Sequence, residues 1–388
     1  MRDCDTGVSP VRAMLTKREL MGTHNYQPYR VVRTSGTPVS GSRLSILLIA
    51  LIALGITLQL QAADPAVLTT EFIADAPPTP SCHAATVAEL TDGTLTAAWF
   101  GGTAEGNKDV GIWFARRSAA GWSTPVELAN GKLLDGSREP CWNPVLYQVP
   151  TGPLLLFYKM GPSPRTWYGR SITSNDGGLQ WSAPQELPTG ILGPIKDKPI
   201  LLSDGAMLCP TSSEEAGWRV YFERTTDLGK TWTRTDFLND GKGIGAIQPT
   251  LLDHGSAGLQ TLCRTKQGKI AESWSHDLGK TWEPLALTSL PNPNSGIDAV
   301  QLKDGRSVLI YNHTPKGRSP LNLAIASDGK QWQAAPVLET EPGEYSYPAI
   351  IQTSDGMVHA VYTWKRKKIR HVVLDPSKFK STAMPVEK

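Results

Sequence analysis

The chain has 388 residues, with 39 Lys and Arg against 36 Asp and Glu, a net charge of +3. Seven basic and three acidic residues lie within 1–63, leaving 32 against 33 beyond, and so neutral a body excludes nucleic-acid binding through a broad basic face. Charged residues at 19% and hydrophobic ones at 40% exclude a disordered acidic chain and a multi-span membrane protein, while 36 Gly, 30 Pro and 12 Trp suit short strands and tight turns.

The first element is an address. Arg30, Arg33 and Arg43 precede the 15-residue apolar run LSILLIALIALGITL at 44–58, and the small Ala62 and Ala63 follow. Basic, apolar, small is the order of a secretory signal, and the run is short for a bilayer span of about 20 residues. Residues 1–63 therefore read as a leader and 64–388 as the exported body, periplasmic or secreted. Membrane attachment would come only through an uncleaved leader. The body's cysteines, Cys82, Cys141, Cys209 and Cys263, read as buried thiols. Their wide spacing has no metal-ligand pattern, and no metal or cofactor is expected.

The body repeats about every fifty residues. SNDGGLQW (174–181), TTDLGKTW (225–232) and SHDLGKTW (275–282) share one pattern; SDGKQW (327–332) is a shortened copy and RRSAAGW (116–122) a worn one. Their terminal tryptophans, Trp122, Trp181, Trp232, Trp282 and Trp332, are spaced by 59, 51, 50 and 50 residues. Asp176, Asp227, Asp277 and Asp328 are expected to accept backbone N–H groups within a turn, Gly supplies the unusual backbone angle, and Trp buries its ring between units. These are structural staples.

A strand–turn–strand unit precedes each staple or closes the chain. The copies run 83–99, 143–159, 198–213, 248–264, 298–312 and 347–364. Six such hairpins without a helical period predict an all-β fold, a six-bladed β-propeller of four-stranded antiparallel blades. The strand near 68–75 is expected to pair with 357–374 and close the ring.

The six hairpins open on His83, Asn143, Lys198, Gln248, Asp298 and Tyr347. A propeller gathers these polar positions around one axis, as a polar ligand site requires. Trp142 beside Asn143 is placed to stack on a sugar face or to pack between blades. Lys159, Lys196, Asn294, Asn312, His313 and Glu344 are further candidates near the ring. Trp364 to Lys368 reads as an exposed edge strand kept soluble by charge.

The staples and hairpins, over about 66–376, resemble the sialidase (neuraminidase) superfamily, and in particular bacterial sialidase-like BNR-repeat, or Asp-box, proteins. The resemblance implies an Arg triad that clamps a substrate carboxylate, a Tyr nucleophile paired with a Glu, and an Asp acid/base. Arg264, ending the fourth hairpin, and Arg318, before the fifth staple, match two of the three Arg positions. His83 stands in the place of the first. EYSYPAI supplies the nucleophile as Tyr345 or Tyr347. Gln248 stands in the place of the Glu, and an amide cannot deprotonate a phenol. Asp109 is the nearest acid/base candidate, with Glu105 competing.

The function this implies is a sialidase-like glycoside hydrolase acting on a terminal acidic sugar of an extracellular glycan. A polysaccharide lyase on the same scaffold, or a glycan-binding propeller without catalysis, stays open. The partner in each case is carbohydrate and not nucleic acid.

Overall fold

The computed structural model describes residues 64–385. The expected leader and the last three residues lie outside them. Six antiparallel sheets follow one another along the chain as the blades of a propeller. Their innermost strands are Ser81–Glu89, Cys141–Gln148, Ile200–Leu201, Ala246–Asp253, Asp298–Gln301 and Tyr345–Gln352. All six predicted hairpins are present. Blade 1 carries a fifth strand, Val126–Ala129, beside the hairpin at Gly121–Trp122. Among the described residues helix is confined to two 3-10 turns, and none is long and apolar enough to cross a membrane.

The ring closes as the sequence predicts. Val67–Phe72 adds antiparallel to Lys368–Leu374 as the outer strand of blade 6. One apolar cluster fills each gap between blades, because each sheet buries both faces against its neighbours. Phe100, Ile112 and Phe114 of blade 1, for example, meet Leu146, Leu156 and Tyr158 of blade 2. Cys82, Cys141, Cys209 and Cys263 are buried and unpaired. Burial pushes Cys82, Cys141 and Cys263 up to about 12, so they pack as small apolar groups.

The repeated Asp turns have the anticipated chemistry. Asp277 Oδ1 accepts from the backbone N–H of Lys280 (3.0 Å) and Thr281 (2.9 Å). Asp227 and Asp176 repeat the pattern, and Asp328 does so one residue tighter. Each tryptophan reaches back to the preceding blade. Trp181 meets Phe114, Trp232 meets Phe157, and Trp282 stacks on Phe222 at 4.2 Å. The worn first copy keeps the habit without its Asp: Trp122 lies edge-on to His371 of blade 6, and its Nε1 donates to Glu71 (3.1 Å).

Blade 6 is held across its outer strands by a buried ladder. His359 Nδ1 lies 2.9 Å from His371 Nε2, and His371 Nδ1 lies 2.8 Å from Glu71. Burial, then the neighbouring His371, holds His359 down at about 4; Asp355 and Glu71 oppose this and Arg117 adds to it. Burial also holds His371 below the usual value. The unfolded chain takes up a proton near pH 6.5, whereas the folded His359 waits until about 4. Stability from this group is therefore complete above pH 6.5 and is lost as pH falls toward 4, by on the order of 3 kcal/mol. Guanidinium unfolding at pH 7, 5.5 and 4.5 should show the decline, and His359→Gln should flatten it. A slope unchanged by the substitution would place the acid sensitivity elsewhere.

Candidate active site

The innermost strands begin irregularly. The pairing register shifts between His83 and Thr86, Trp142 and Val145, Ile247 and Pro249, and Ser346 and Ala349. Within these bulges Ala84, Asn143, Gln248 and Tyr347 have φ of 53°, 37°, 54° and 50°. Pro144, Pro249 and Pro348 follow three of them, in places where the ladder needs no N–H. Left-handed backbone costs a non-glycine residue about 1 kcal/mol or more. Its recurrence in four blades marks a shared device that re-aims one side chain per blade.

Tyr347 is the centre of what results. Its hydroxyl oxygen accepts from Arg264 Nη1 (2.7 Å) and from Gln248 Nε2 (3.2 Å). Arg264 Nη1 also donates to Gln248 Oε1 (3.0 Å), and Arg264 Nε donates to Asn294 Oδ1 (2.8 Å). The guanidinium carbons of Arg264 and Arg318 lie 5.6 and 5.8 Å from the centre of the Tyr347 ring. The His83 imidazole lies 4.2 Å from that ring, and its Nδ1 lies 3.0 Å from Thr363 Oγ1. Burial, then the positive charges of Arg366, Arg318 and Arg264, holds His83 well below the usual imidazole value. It is a neutral ring packed beside the phenol.

A third guanidinium completes the group. Arg366 Nε donates to Glu344 Oε1 (2.8 Å), the same oxygen that accepts from Arg318 Nη1 (2.9 Å). Its Nη1 pairs with Glu105. Arg318 and Arg366 are paired to Glu344 and Glu105, whereas Arg264 makes no ion pair with a described residue and instead donates to Tyr347, Gln248 and Asn294, a grouping that suits an anionic ligand.

The fold thus brings together His83, Gln248, Arg264, Arg318 and Tyr347. Asp109 stands apart from them: its carboxylate accepts from Thr103 N (2.8 Å) and Oγ1 (2.5 Å), and the Thr103 hydroxyl holds it below the usual carboxylate range. Glu105, on the same loop, is the carboxylate tied to the cluster. Asn143 is buried and makes no side-chain hydrogen bond to a described residue.

Seven positions fall elsewhere. Tyr345 packs in the apolar cluster between blades 5 and 6, because strand alternation resumes on that side of the bulge. Trp142 is buried against Phe100 and Trp167, with Nε1 donating to Gly161 O (2.8 Å), so neither face is open to a sugar. Lys198 and Asp298 are spent on each other: Lys198 Nζ lies 2.9 Å from both carboxylate oxygens. Asp298 also accepts from Thr250 Oγ1 (2.7 Å), Ala299 N (2.8 Å) and Ile350 N (2.9 Å). Lys159 donates to Pro194 O inside the fold. Asn312 bridges the carbonyls of Pro320 and Tyr345, and His313 meets Tyr311 and Pro385. Among the described residues no three His, Cys, Asp or Glu side chains are grouped to hold a metal ion.

The sequence profile of the BNR repeat-like domain matches residues 93–360. The chain belongs to the BNR repeat-like family. No curated protein sequence matches it. Solved structures do. A protein of unknown function from Dyadobacter fermentans is 16% identical with a TM-score of 0.66, over 80% of this chain and 99% of that one. A Hadza microbial sialidase is 16% identical, TM-score 0.66, over 78% and 67%. The intramolecular trans-sialidase of Ruminococcus gnavus, solved with oseltamivir carboxylate, is 15% identical, TM-score 0.64, over 83% and 100%. At such identities the likeness is one of fold, and it makes this BNR repeat-like protein a sialidase-like propeller.

Two members of the site escape the sequence. Arg366 lies in a turn and not on an edge strand: blade 6 runs in the order Tyr345–Gln352, Val358–Trp364, Lys368–Leu374, Val67–Phe72, so its edge is at Val67–Phe72. Left-handed Lys365 (φ 53°) and Arg366 (φ 59°) swing the basic run back over the site. Glu214 accepts from Trp218 Nε1 (2.9 Å), and Arg264 lies 5.0 Å from the Trp218 ring. Burial raises the Glu214 carboxyl above its usual range, against the pull of Arg264. No repeat or motif singles out EEAGW at 214–218.

Proposed function

We propose that the protein is a glycoside hydrolase that removes a terminal acidic sugar, of sialic or uronic acid type, from extracellular glycans. The observation that carries this reading is the Tyr347 hydroxyl held by Arg264, with Arg318 and Arg366 beside it. The three guanidiniums would hold the sugar carboxylate, since a planar permanent cation matches it. The Tyr347 oxygen, giving its proton to solvent water, would attack the anomeric carbon as the glycosidic C–O bond breaks, and a water would then displace the tyrosine to release the free sugar. The leaving oxygen needs a proton. Glu214, held up by burial, suits that donation better than Asp109, held down by Thr103. His83 stays neutral and supports the ring. The family likeness and the solved sialidases of the same fold support the assignment at the level of scaffold.

One observation favours a second reading. Both described partners of the Tyr347 oxygen, Arg264 and Gln248, are donors, and neither is a carboxylate. Such an oxygen also suits a lyase, where the phenolate would take a proton from carbon and Arg would neutralise a uronate.

The test is incubation of the purified chain with sialyl and uronyl glycans, following free acidic sugar and ultraviolet absorbance together. Free sugar is expected, with kcat/KM about a hundredfold lower in Arg264→Ala. An absorbing unsaturated product would replace hydrolysis by elimination. Binding by calorimetry with neither product would leave a carbohydrate-binding propeller.

A further inference from the structure

The feature not absorbed by this chemistry is a buried ammonium. We propose that Lys196 is a positioning residue for Tyr347, clamping the backbone of the tyrosine and of the floor beneath its ring. The assignment rests on the reading of Tyr347 as the working group.

Lys196 enters from blade 3 with φ of 71° and a side chain 1% exposed. Its Nζ donates to Asp197 Oδ1 (2.6 Å) and to the carbonyl oxygens of Ile297 and Pro348. An ammonium has three N–H groups, and all three are used. Pro348 follows Tyr347. Ile297 follows Gly296, whose Cα underlies the phenol: a Cβ there would lie 3.5 Å from Tyr347 Cγ and 3.3 Å from Lys196 Cε. One cation therefore fixes the next residue after the ring and the next residue after its floor, joining blades 5 and 6 to blade 3.

Strand pairing does not do this work. Ser346 pairs with Thr363 and Ala349 with Val361, so Tyr347 and Pro348 fall in the unpaired bulge. Their neighbourhood must hold a left-handed aromatic residue that local preference opposes. A buried carbonyl without a ladder partner needs another donor, and Lys196 supplies it to Pro348. Desolvating a lysine is unfavourable, and an apolar chain of like length would fill the same space. The three-way geometry is what such a chain would lack.

The test is the full chain carrying Lys196→Met/Asp197→Leu, an apolar pair that leaves no lone acid, beside the single Lys196→Met. In the crystal structure of the double variant, Tyr347 is expected to lose its 2.7 Å contact with Arg264. On an acidic-sugar glycoside, kcat per folded molecule should fall by about ten- to a hundredfold and KM should stay within about twofold, because the guanidiniums are untouched. A folded variant that keeps the contact and the native kcat overturns the proposal. So does failure of both variants to fold, which would make Lys196 a structural residue. Should the unaltered chain release no acidic sugar, the reading of function fails, and the Tyr347–Arg264 contact in the variant still decides the clamp.

Discussion

Tyr347→Phe is expected to lower kcat on an acidic-sugar glycoside by about a thousandfold while substrate binding and thermal stability stay near native. The substitution removes one oxygen. The ring keeps its place against His83 and over Gly296, and the three guanidiniums keep their carboxylate partners or Gln248. Only the proposed nucleophile is lost, along with the two donors' target. Tyr345→Phe is the matched control. That phenol lies in the core between blades 5 and 6, so its loss should leave kcat unchanged. Steady-state kinetics on the two variants separates them. A Tyr347→Phe enzyme with most of its native kcat would remove the tyrosine from the reaction and return it to packing.

Asp298→Ala should be the most destabilising single change in the channel, by roughly 3–5 kcal/mol. Asp298 is buried, with Lys198 on both of its oxygens and Thr250, Ala299 and Ile350 donating as well. These donors come from blades 3, 4, 5 and 6. Alanine would strand a lysine and buried N–H groups together. The Lys198 and Lys196 charges, with the hydrogen bonds from Ile350 and Thr250, overcome burial and hold the carboxyl below its usual range. Lys198→Met should cost less, because that side chain is 20% exposed. Guanidinium unfolding of both variants at pH 7 gives the comparison. A loss below about 1 kcal/mol for Asp298→Ala would show that the blades are held by their apolar interfaces alone.

The six hairpins and the Asp turns were legible because their signals are local and repeated: Asp, Gly and Trp at fixed spacing each satisfy a turn or an adjacent blade. Five site residues were legible for a related reason. His83, Gln248 and Tyr347 recur at the openings of hairpins, and Arg264 and Arg318 recur in family context. The choice between Tyr345 and Tyr347 was not, since the bulge that aims Tyr347 depends on pairing two residues with none across the ladder. Lys198 and Asp298 misled because the sequence displays polar residues converging on an axis but not which of them neutralise each other. Arg366 was hidden by two left-handed residues in a basic turn, a backbone choice that Lys and Arg do not announce. Lys196 lay among the candidates as loose positive charge; its three oxygens come from three separate segments of chain.

The closing of blade 6 has a consequence for how the molecule comes into being. Val67 and Leu374, about three hundred residues apart, meet in one sheet. Until the final strand has been made, a growing chain is an open arc, with the Val67–Phe72 strand unpaired and an unmatched blade face at each end. Tyr347 belongs to that same last sheet, and its partners Arg264 and Gln248 to an earlier one. A partly synthesised propeller therefore has most of its framework without the Tyr347 cluster, which comes together in the same event that seals the circle.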